Sequence, residues 1–199
     1  MQQGWFYMRL CLLLILWAVS LFGADRCVSY VQEVRRAHWS VFGMNYPYHY
    51  GVAQLKAESN CRNIISNDDV GSEGAAQITY RWWQDVLKAN GVLEIKTLPN
   101  HLKAQAIIMK SLYKPEYPLW VTYQLYNGGG WVLKEIARAG VVDWQKAKDA
   151  CQRGVTCFTT RTGKVCRSNC DINYEYSQHI FNYAKEYGDV KDTSWFRYW

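Results

Sequence analysis

The sequence contains neither an apolar stretch long enough to be an unambiguous membrane span nor a concentrated block of charge. No segment reaches the roughly 18 consecutive apolar residues typical of a transmembrane helix, which excludes a polytopic membrane protein. The net charge of +6 is spread along 199 residues without runs of five or more like charges. The chain therefore lacks the basic stripe expected of a nucleic-acid-binding protein, and its charge favours another anionic partner, such as cell wall.

The spacing of a metal site is also missing. The cysteines form no C-x-x-C motif, and the four histidines are scattered without partner spacing. A zinc site is therefore the less favoured interpretation of the C-terminal cysteines, and we expect no metal. Aromatic residues, in contrast, are abundant: 10 Trp and 15 Tyr suit stacking on sugar rings, although they fill protein cores more often.

The N-terminus carries a run of 15 largely apolar residues at 10–24, LCLLLILWAVSLFGA, preceded by Arg9. This length and charge order are typical of a signal peptide with cleavage before Ala24. The alternative is an anchor that stays in the membrane, extended by the aromatic residues at 5–7. Residues 1–24 therefore predict an exported protein of the periplasm or cell envelope. The alternatives are a protein that stays anchored in the membrane and one that is associated with a virion.

Six cysteines remain once Cys11, inside the apolar run, is set aside. An exported chain meets oxidising conditions, so an even number of cysteines predicts up to three disulfides. The segment CFTTRTGKVC resembles a β-hairpin closed at its base, and two further cysteines lie just outside it. Of the fifteen connectivities available to six cysteines, we favour the nested pairs Cys157–Cys166 and Cys151–Cys170, with Cys27–Cys61 at the other end of the chain.

Between these regions, apolar residues recur mostly at helical spacing, which predicts a mainly α fold. We expect residues 25–150 to form one domain, with residues 151–199 packed on it as a Cys-rich hairpin and an aromatic helical tail. The predicted helices cover residues 27–39, 47–59, 77–88, 100–113, 119–126 and a segment ending near 139.

The tail is unusually aromatic. Its first part keeps helical spacing and should pack on the core, whereas residues 195–199 would form a docking segment for an envelope or virion assembly partner. The residues of the helical stripe are Ile172, Tyr176, Ile180, Tyr183 and Tyr187.

Glu58 is the first residue that points to chemistry. It lies near the C-terminal end of a predicted apolar helix, where desolvation and the negative end of the helix dipole both raise the pKa of a carboxyl group. A carboxylic acid that stays protonated near neutral pH can protonate the leaving oxygen of a sugar bond. A lone helical Glu is nevertheless more often a solvated surface residue.

Three segments around Glu58 resemble the soluble lytic transglycosylase and goose-type lysozyme superfamily over residues 40–140. The segments are AESNC at 57–61, GSEGAAQIT at 71–79 and LYNGGGWV at 125–132. They match the family's Glu-Ser, G-x-x-G-L-x-Q and A-Y-N-A-G patterns, and Asn100 matches an Asn that opens the intervening helix. The sequence departs from the family at Ala75, Ala76 and the glycines 128–130, which affects details of substrate binding more than the reaction class.

The resemblance implies an α+β lysozyme-like fold and a peptidoglycan lytic transglycosylase that cleaves the MurNAc–GlcNAc β-1,4 bond. Glu58 would act as both acid and base and leave a 1,6-anhydro product, without metal or organic cofactor. The remaining matched residues imply roles in binding glycan strands or orienting the acid: Ser59, Gln77, Tyr126 and Asn127.

Two alternatives stay open. Asp68, beside Asp69, lies nine residues before Gln77, where the goose-type branch carries an aspartate that positions water. A second carboxylate at roughly 6.5–9.5 Å from Glu58 would favour an inverting muramidase, although this loop also fits a simple solvated turn. The other alternative is a non-catalytic peptidoglycan-binding component of a secretion, conjugation or phage-penetration apparatus. Trp82 and Trp83 would either floor a glycan groove or fill the core.

Overall fold

The computed structural model describes residues 25–66, 71–160, 163–188 and 195–196. Within these ranges the chain is mainly helical, as predicted, with one two-stranded antiparallel sheet. After a 3-10 helix at Arg26–Tyr30, the elements are α1 (Val31–Phe42), α2 (His49–Ser59), α3 (Tyr80–Ala89), α4 (Leu98–Leu112), α5 (Leu119–Gly128), α6 (Trp131–Ala139), α7 (Trp144–Asp149), β1 (Val155–Thr160), β2 (Gly163–Ser168) and α8 (Asn169–Ala184).

Three predictions fall wholly outside the described residues. These are the signal peptide or anchor at 1–24, and the carboxylates Asp68 and Asp69. No helix in the described part of the chain is long and apolar enough to cross a membrane.

Helix α2 is the central element of the fold. Residues 49–55 are all buried, so this helix is enclosed on every side, which explains its weak apolar periodicity. Tyr50 and Ala53 belong to one hydrophobic cluster, whereas Val52 and Leu55 belong to a second one on the opposite side. Packing against α1 and α8 holds the helix, and Glu58 in its last turn, in a fixed position.

The segment at 71–79 folds differently from its predicted pattern. The helix expected from Gln77 begins at Tyr80, because the chain first makes a tight turn. Paired backbone hydrogen bonds between Glu73 and Ile78 close this turn, and Gln77 takes a left-handed backbone conformation with φ of 50°. The short helix α7 was not predicted; its six residues are too few to show a periodic pattern.

The three predicted disulfides are all present, and Cys157 lies directly opposite Cys166 in the β1–β2 hairpin. The start of the predicted docking segment, however, packs on the chain itself. Phe196 is fully buried with its ring 4.7 Å from that of Tyr50, and the Trp195 carbonyl accepts a hydrogen bond from Leu119 N at 2.7 Å. Phe196 therefore belongs to the core and the partly buried Trp195 packs against it, because burying large rings stabilises the fold more than exposing them.

Candidate functional site

Glu58 lies at the base of a cleft, half-buried at the C-terminal end of α2. Burial raises the pKa of its carboxyl group to about 7, since the protein replaces most of the water that would stabilise the charge. The hydroxyl of Tyr176 donates a hydrogen bond to Glu58 Oε1 at 2.5 Å and opposes this rise in pKa. The second oxygen, Oε2, has no hydrogen-bond partner among the described residues, so it is free to meet a ligand.

The cleft has a volume of about 710 Å³, which lies in the range of ligand-binding sites. Glu58 is the only carboxylate among the described residues that line it. Trp82 lies on one wall with 65% of its surface exposed, beside the half-buried Trp83. This exposure supports the groove interpretation for Trp82, whereas Trp83 both lines the cleft and packs against a hydrophobic core cluster. All three motifs contribute to the lining: Glu58 from the first, Ser72, Gln77 and Thr79 from the second, and Tyr126, Asn127 and Gly128 from the third.

Ser59 joins the end of α2 to the turn at 71–79. Its buried hydroxyl donates to the carbonyl of Ala75 at 2.8 Å and accepts from Arg62 N at 3.0 Å. These bonds fix the turn against the helix that carries Glu58, rather than contacting the carboxylate. In the structure Ser59 therefore positions the turn through backbone contacts, whereas the sequence predicted that it would orient Glu58 or bind the substrate.

The turn at 71–79 rests on the ring of His101, for which the sequence predicted no partner. Gly74 has a φ of +75°, and a Cβ there would lie 2.2 Å from the imidazole, so the close approach requires glycine. His101 Nε2 accepts a hydrogen bond from Ala76 N at 3.0 Å. Burial lowers the pKa of His101, which keeps the ring neutral and able to accept this bond.

Gln77 and Tyr126 are held by the same turn. Gln77 Nε2 donates to the carbonyls of Gly74 at 2.8 Å and Ile64 at 3.1 Å. Its amide oxygen Oε1 has no bonded partner among the residues described, so it can accept from a ligand in the cleft. Tyr126 donates to the Ala76 carbonyl at 2.6 Å. Burial and the neighbouring Glu58 charge hold the pKa of Tyr126 well above its ordinary value, so this phenol stays neutral.

Asn127 lies where the cleft meets a second cavity of about 400 Å³, and both cavities are lined by Asn127 and Gly128. The Asn127 amide donates to Asn173 Oδ1 on α8 at 2.9 Å, which orients the side chain. A Cβ at Gly128 would lie 2.4 Å from the same Asn173 oxygen, so the glycine lets the two helices approach closely. The third motif therefore combines an exposed amide with a tight helix contact.

Sequence reasoning missed Tyr176 as a site residue, because its helical spacing assigned it to the core. The helical prediction was right, but a buried tyrosine also needs a partner for its hydroxyl, and here the partner is Glu58. Asn100, in the first turn of α4, bonds Glu94 and is not among the residues that line the cleft. Over the described ranges, no group of three or more His, Cys, Asp or Glu could hold a metal ion.

No protein-family model matches the chain, and no match to it is found among curated proteins or solved structures. The resemblance to the lytic transglycosylase and goose-type lysozyme superfamily therefore stays a prediction from three short motifs. The geometry adds that residues from all three line the same cleft.

Proposed function

We propose that the chain is a peptidoglycan lytic transglycosylase with a lysozyme-like catalytic domain. The observation that carries this proposal is Glu58, a carboxyl group with a pKa raised to about 7 that faces a cleft with no other described carboxylate. A glycosidase that hydrolyses its substrate normally needs two carboxylates, whereas an intramolecular attack by the sugar needs only one group that gives and then takes a proton.

The reaction begins with protonated Glu58. Its proton passes to the glycosidic oxygen between MurNAc and GlcNAc as the bond from C1 of MurNAc to that oxygen breaks. The 6-hydroxyl oxygen of the same MurNAc then bonds to C1, and the Glu58 carboxylate takes the hydroxyl proton. The acid is thereby restored, no water is consumed, and the product ends in a 1,6-anhydro ring.

The cleft residues divide the remaining work by their chemistry. Trp82 offers an exposed aromatic face for stacking on a sugar ring. Gln77 Oε1 and the exposed Asn127 offer polar groups for hydroxyl and N-acetyl groups of the glycan. Tyr126, held on the Ala76 carbonyl, keeps a neutral phenol beside the acid and excludes water from it.

The three disulfides indicate an oxidising environment, as found for exported proteins. We place the protein in the periplasm or cell envelope, where its substrate would be. Peptidoglycan strands are then the partner, and no cofactor is required.

The test is digestion of isolated peptidoglycan by the purified protein, followed by mass spectrometry of the released fragments. Products with 1,6-anhydro ends are expected. Products with reducing ends would instead identify a hydrolase, and Asp68→Asn should then abolish activity, whereas it should be nearly silent in a transglycosylase. Saturable binding without released fragments would reject both enzymes and favour the peptidoglycan-binding component.

A further inference from the structure

The second cavity, of about 400 Å³, adjoins the cleft and has no part in the reaction described above. The two spaces share Asn127 and Gly128. The other walls come from Trp131 at the start of α6, from residues 152–154 and from the first turn of α8. Most of this lining lies beyond residue 140, where the resemblance to the transglycosylase superfamily ends. The cavity is therefore built mainly by the C-terminal segment of this chain.

The C-terminal wall of the cavity is held in place by covalent and hydrogen bonds. The Cys151–Cys170 disulfide joins the segment 152–154 to the start of α8. Beside this disulfide, Asn169 N donates to the Gly154 carbonyl at 2.9 Å. A ligand would meet a surface that is already formed, which lowers the entropic cost of binding.

Arg153 brings an unused hydrogen-bond donor to the place where cavity and cleft meet. Only 8% of its side chain is exposed, and its Nε and Nη2 donate to the two carboxylate oxygens of Glu135. The third nitrogen, Nη1, has no hydrogen-bond partner in the part of the chain that the structure describes. A Cβ at Gly128 would lie 2.7 Å from this Nη1. A buried donor without a partner costs free energy, and a ligand that accepts from it removes that cost.

Donors outnumber acceptors among the side chains that line the cavity. Asn127 keeps one acceptor, whereas Asn169 keeps its donor nitrogen because its Oδ1 already accepts a hydrogen bond at 2.5 Å. Gln152 is exposed and bonds to no described group, so both ends of its amide are available. The carboxylate behind this wall, Glu135, is already paired with Arg153. The cavity therefore favours a ligand rich in carbonyl and carboxylate oxygens.

We propose that this cavity binds the peptide stem of peptidoglycan, with an oxygen of the stem accepting from Arg153 Nη1. The inference rests on the proposed function, because that reaction places MurNAc beside Glu58 and the stem branches from MurNAc. Sugar hydroxyls donate as well as accept, whereas the carbonyl and carboxylate oxygens of a stem only accept, which suits the excess of donors. An extended residue spans up to about 3.5 Å, so a stem of a few residues can pass from the cleft into the adjoining cavity.

The test compares two substrates: glycan strands that carry stems, and the same strands after an amidase has removed them. Wild-type protein should show a KM about tenfold higher for the bare strands, with kcat changed less than about twofold. The main variant combines Gln152→Ala with Arg153→Lys, since lysine keeps a cation for Glu135 and loses the Nη1 donor. Its KM for stem-bearing strands should rise about tenfold, to the value for bare strands, which should not change. Gln152→Ala alone should raise KM for stem-bearing strands about threefold.

A second measurement does not depend on activity. The probe is the free tetrapeptide that the amidase releases, added at millimolar concentration to the labelled protein. It should shift the backbone amide signals of residues 152–154 in wild type and leave them unshifted in the double variant. Gln178→Ala is the matched control, because Gln178 is an exposed glutamine of α8 outside the cavity lining. It should equal wild type in both measurements.

An unchanged KM for stem-bearing strands in the folded Gln152→Ala protein and in the double variant would overturn the proposal. An equal rise in KM for both kinds of strand would overturn it too, because the cavity would then hold a sugar of the strand. A wild-type protein that releases no fragments would instead reject the proposed function. In that case the tetrapeptide titration alone decides whether the cavity binds the stem.

Discussion

Two glutamates of this protein accept hydrogen bonds from tyrosines that lie only two positions apart on α8. Tyr174 donates to Glu135 Oε2 at 2.9 Å and Tyr176 donates to Glu58 Oε1 at 2.5 Å. Two positions turn a helix by about 200°, so α8 stands between the two carboxyl groups and contacts one on each side. The two sites thus share the same type of donor on the same helix.

The sites differ in charge compensation. Glu135 is fully buried and receives two hydrogen bonds from the Arg153 guanidinium, at 2.6 and 2.9 Å. Glu58 has no cation bonded to it among the described residues, and it opens onto the cleft. An ion pair keeps a carboxylate in its charged form, whereas desolvation without a nearby cation favours the protonated carboxyl group, which can then donate its proton. Under the proposed function, the missing cation, rather than burial alone, therefore distinguishes Glu58 as the reactive carboxyl from Glu135 as the structural one.

The largest expected effect concerns Glu135, the carboxylate that is paired with an arginine. Arg153→Met removes the guanidinium and leaves the Glu135 charge buried without a cation, which should lower the free energy of unfolding by about 3–5 kcal/mol. Denaturant unfolding measures this change. Arg167→Met, which breaks the exposed ion pair with Glu175, is the control and should leave stability nearly unchanged. Equal stability of the two variants would mean that the Glu135 site is not structural.

The second largest effect concerns Glu58, the proposed catalytic acid. Glu58→Gln keeps the size of the side chain and can still accept from Tyr176, but it cannot give and take a proton. Digestion of peptidoglycan should fall about 100-fold or more while the fold remains. Wild-type digestion rates in this variant would overturn the catalytic assignment of Glu58.

The same variant has a stability signature with a defined sign. Because the folded pKa of Glu58 is about 7 and its ordinary value is 4.5, the folded state holds a proton that the unfolded state releases between these values. Wild-type stability should therefore decline as pH rises from about 4.5 through 7. Glu58→Gln lacks this loss and should be more stable than wild type at pH 8, by about 1–3 kcal/mol. Unfolding curves at pH 4 and pH 8 measure the difference.

The third effect tests whether the cleft groups work with the acid. Gln77→Ala removes the hydrogen bonds to Gly74 and Ile64, and Tyr126→Phe removes the one to Ala76; each change should lower kcat/KM by roughly 10- to 1000-fold. Their melting temperatures report whether the turn itself has loosened. Full activity at an unchanged melting temperature would reject both assignments.

The difference between the two glutamates was only partly visible in the sequence. The motif around Glu58 depends on local spacing, and the hairpin pattern places the two nested cysteine pairs, which leaves Cys27 and Cys61 as the third pair. The Glu135–Arg153 pair could not be predicted, because it joins residues 18 positions apart through the burial of a helix whose packing the sequence does not display. The contact of Tyr176 with Glu58 could not be predicted for a related reason. Its partner lies 118 positions away, and the spacing of residues along α8 does not distinguish this tyrosine from its neighbours.

The smallest expected effect is also the sharpest, because it compares the two tyrosines directly. Tyr174→Phe removes a donor from a buried, charged carboxylate and should lower the free energy of unfolding by about 1–3 kcal/mol without changing the pH profile of digestion. Tyr176→Phe removes the one hydrogen bond that lowers the pKa of Glu58.

That pKa should therefore rise, and since the acid must be protonated to act, the alkaline limb of activity should move to higher pH. The maximal rate should fall only several-fold, roughly threefold to tenfold, because Glu58 itself remains. Titration of activity from pH 5 to 9 in both variants measures the contrast. A shifted limb in Tyr174→Phe, or an unshifted one in Tyr176→Phe, would show that the two sites do not divide into a structural and a reactive carboxyl as their partners imply.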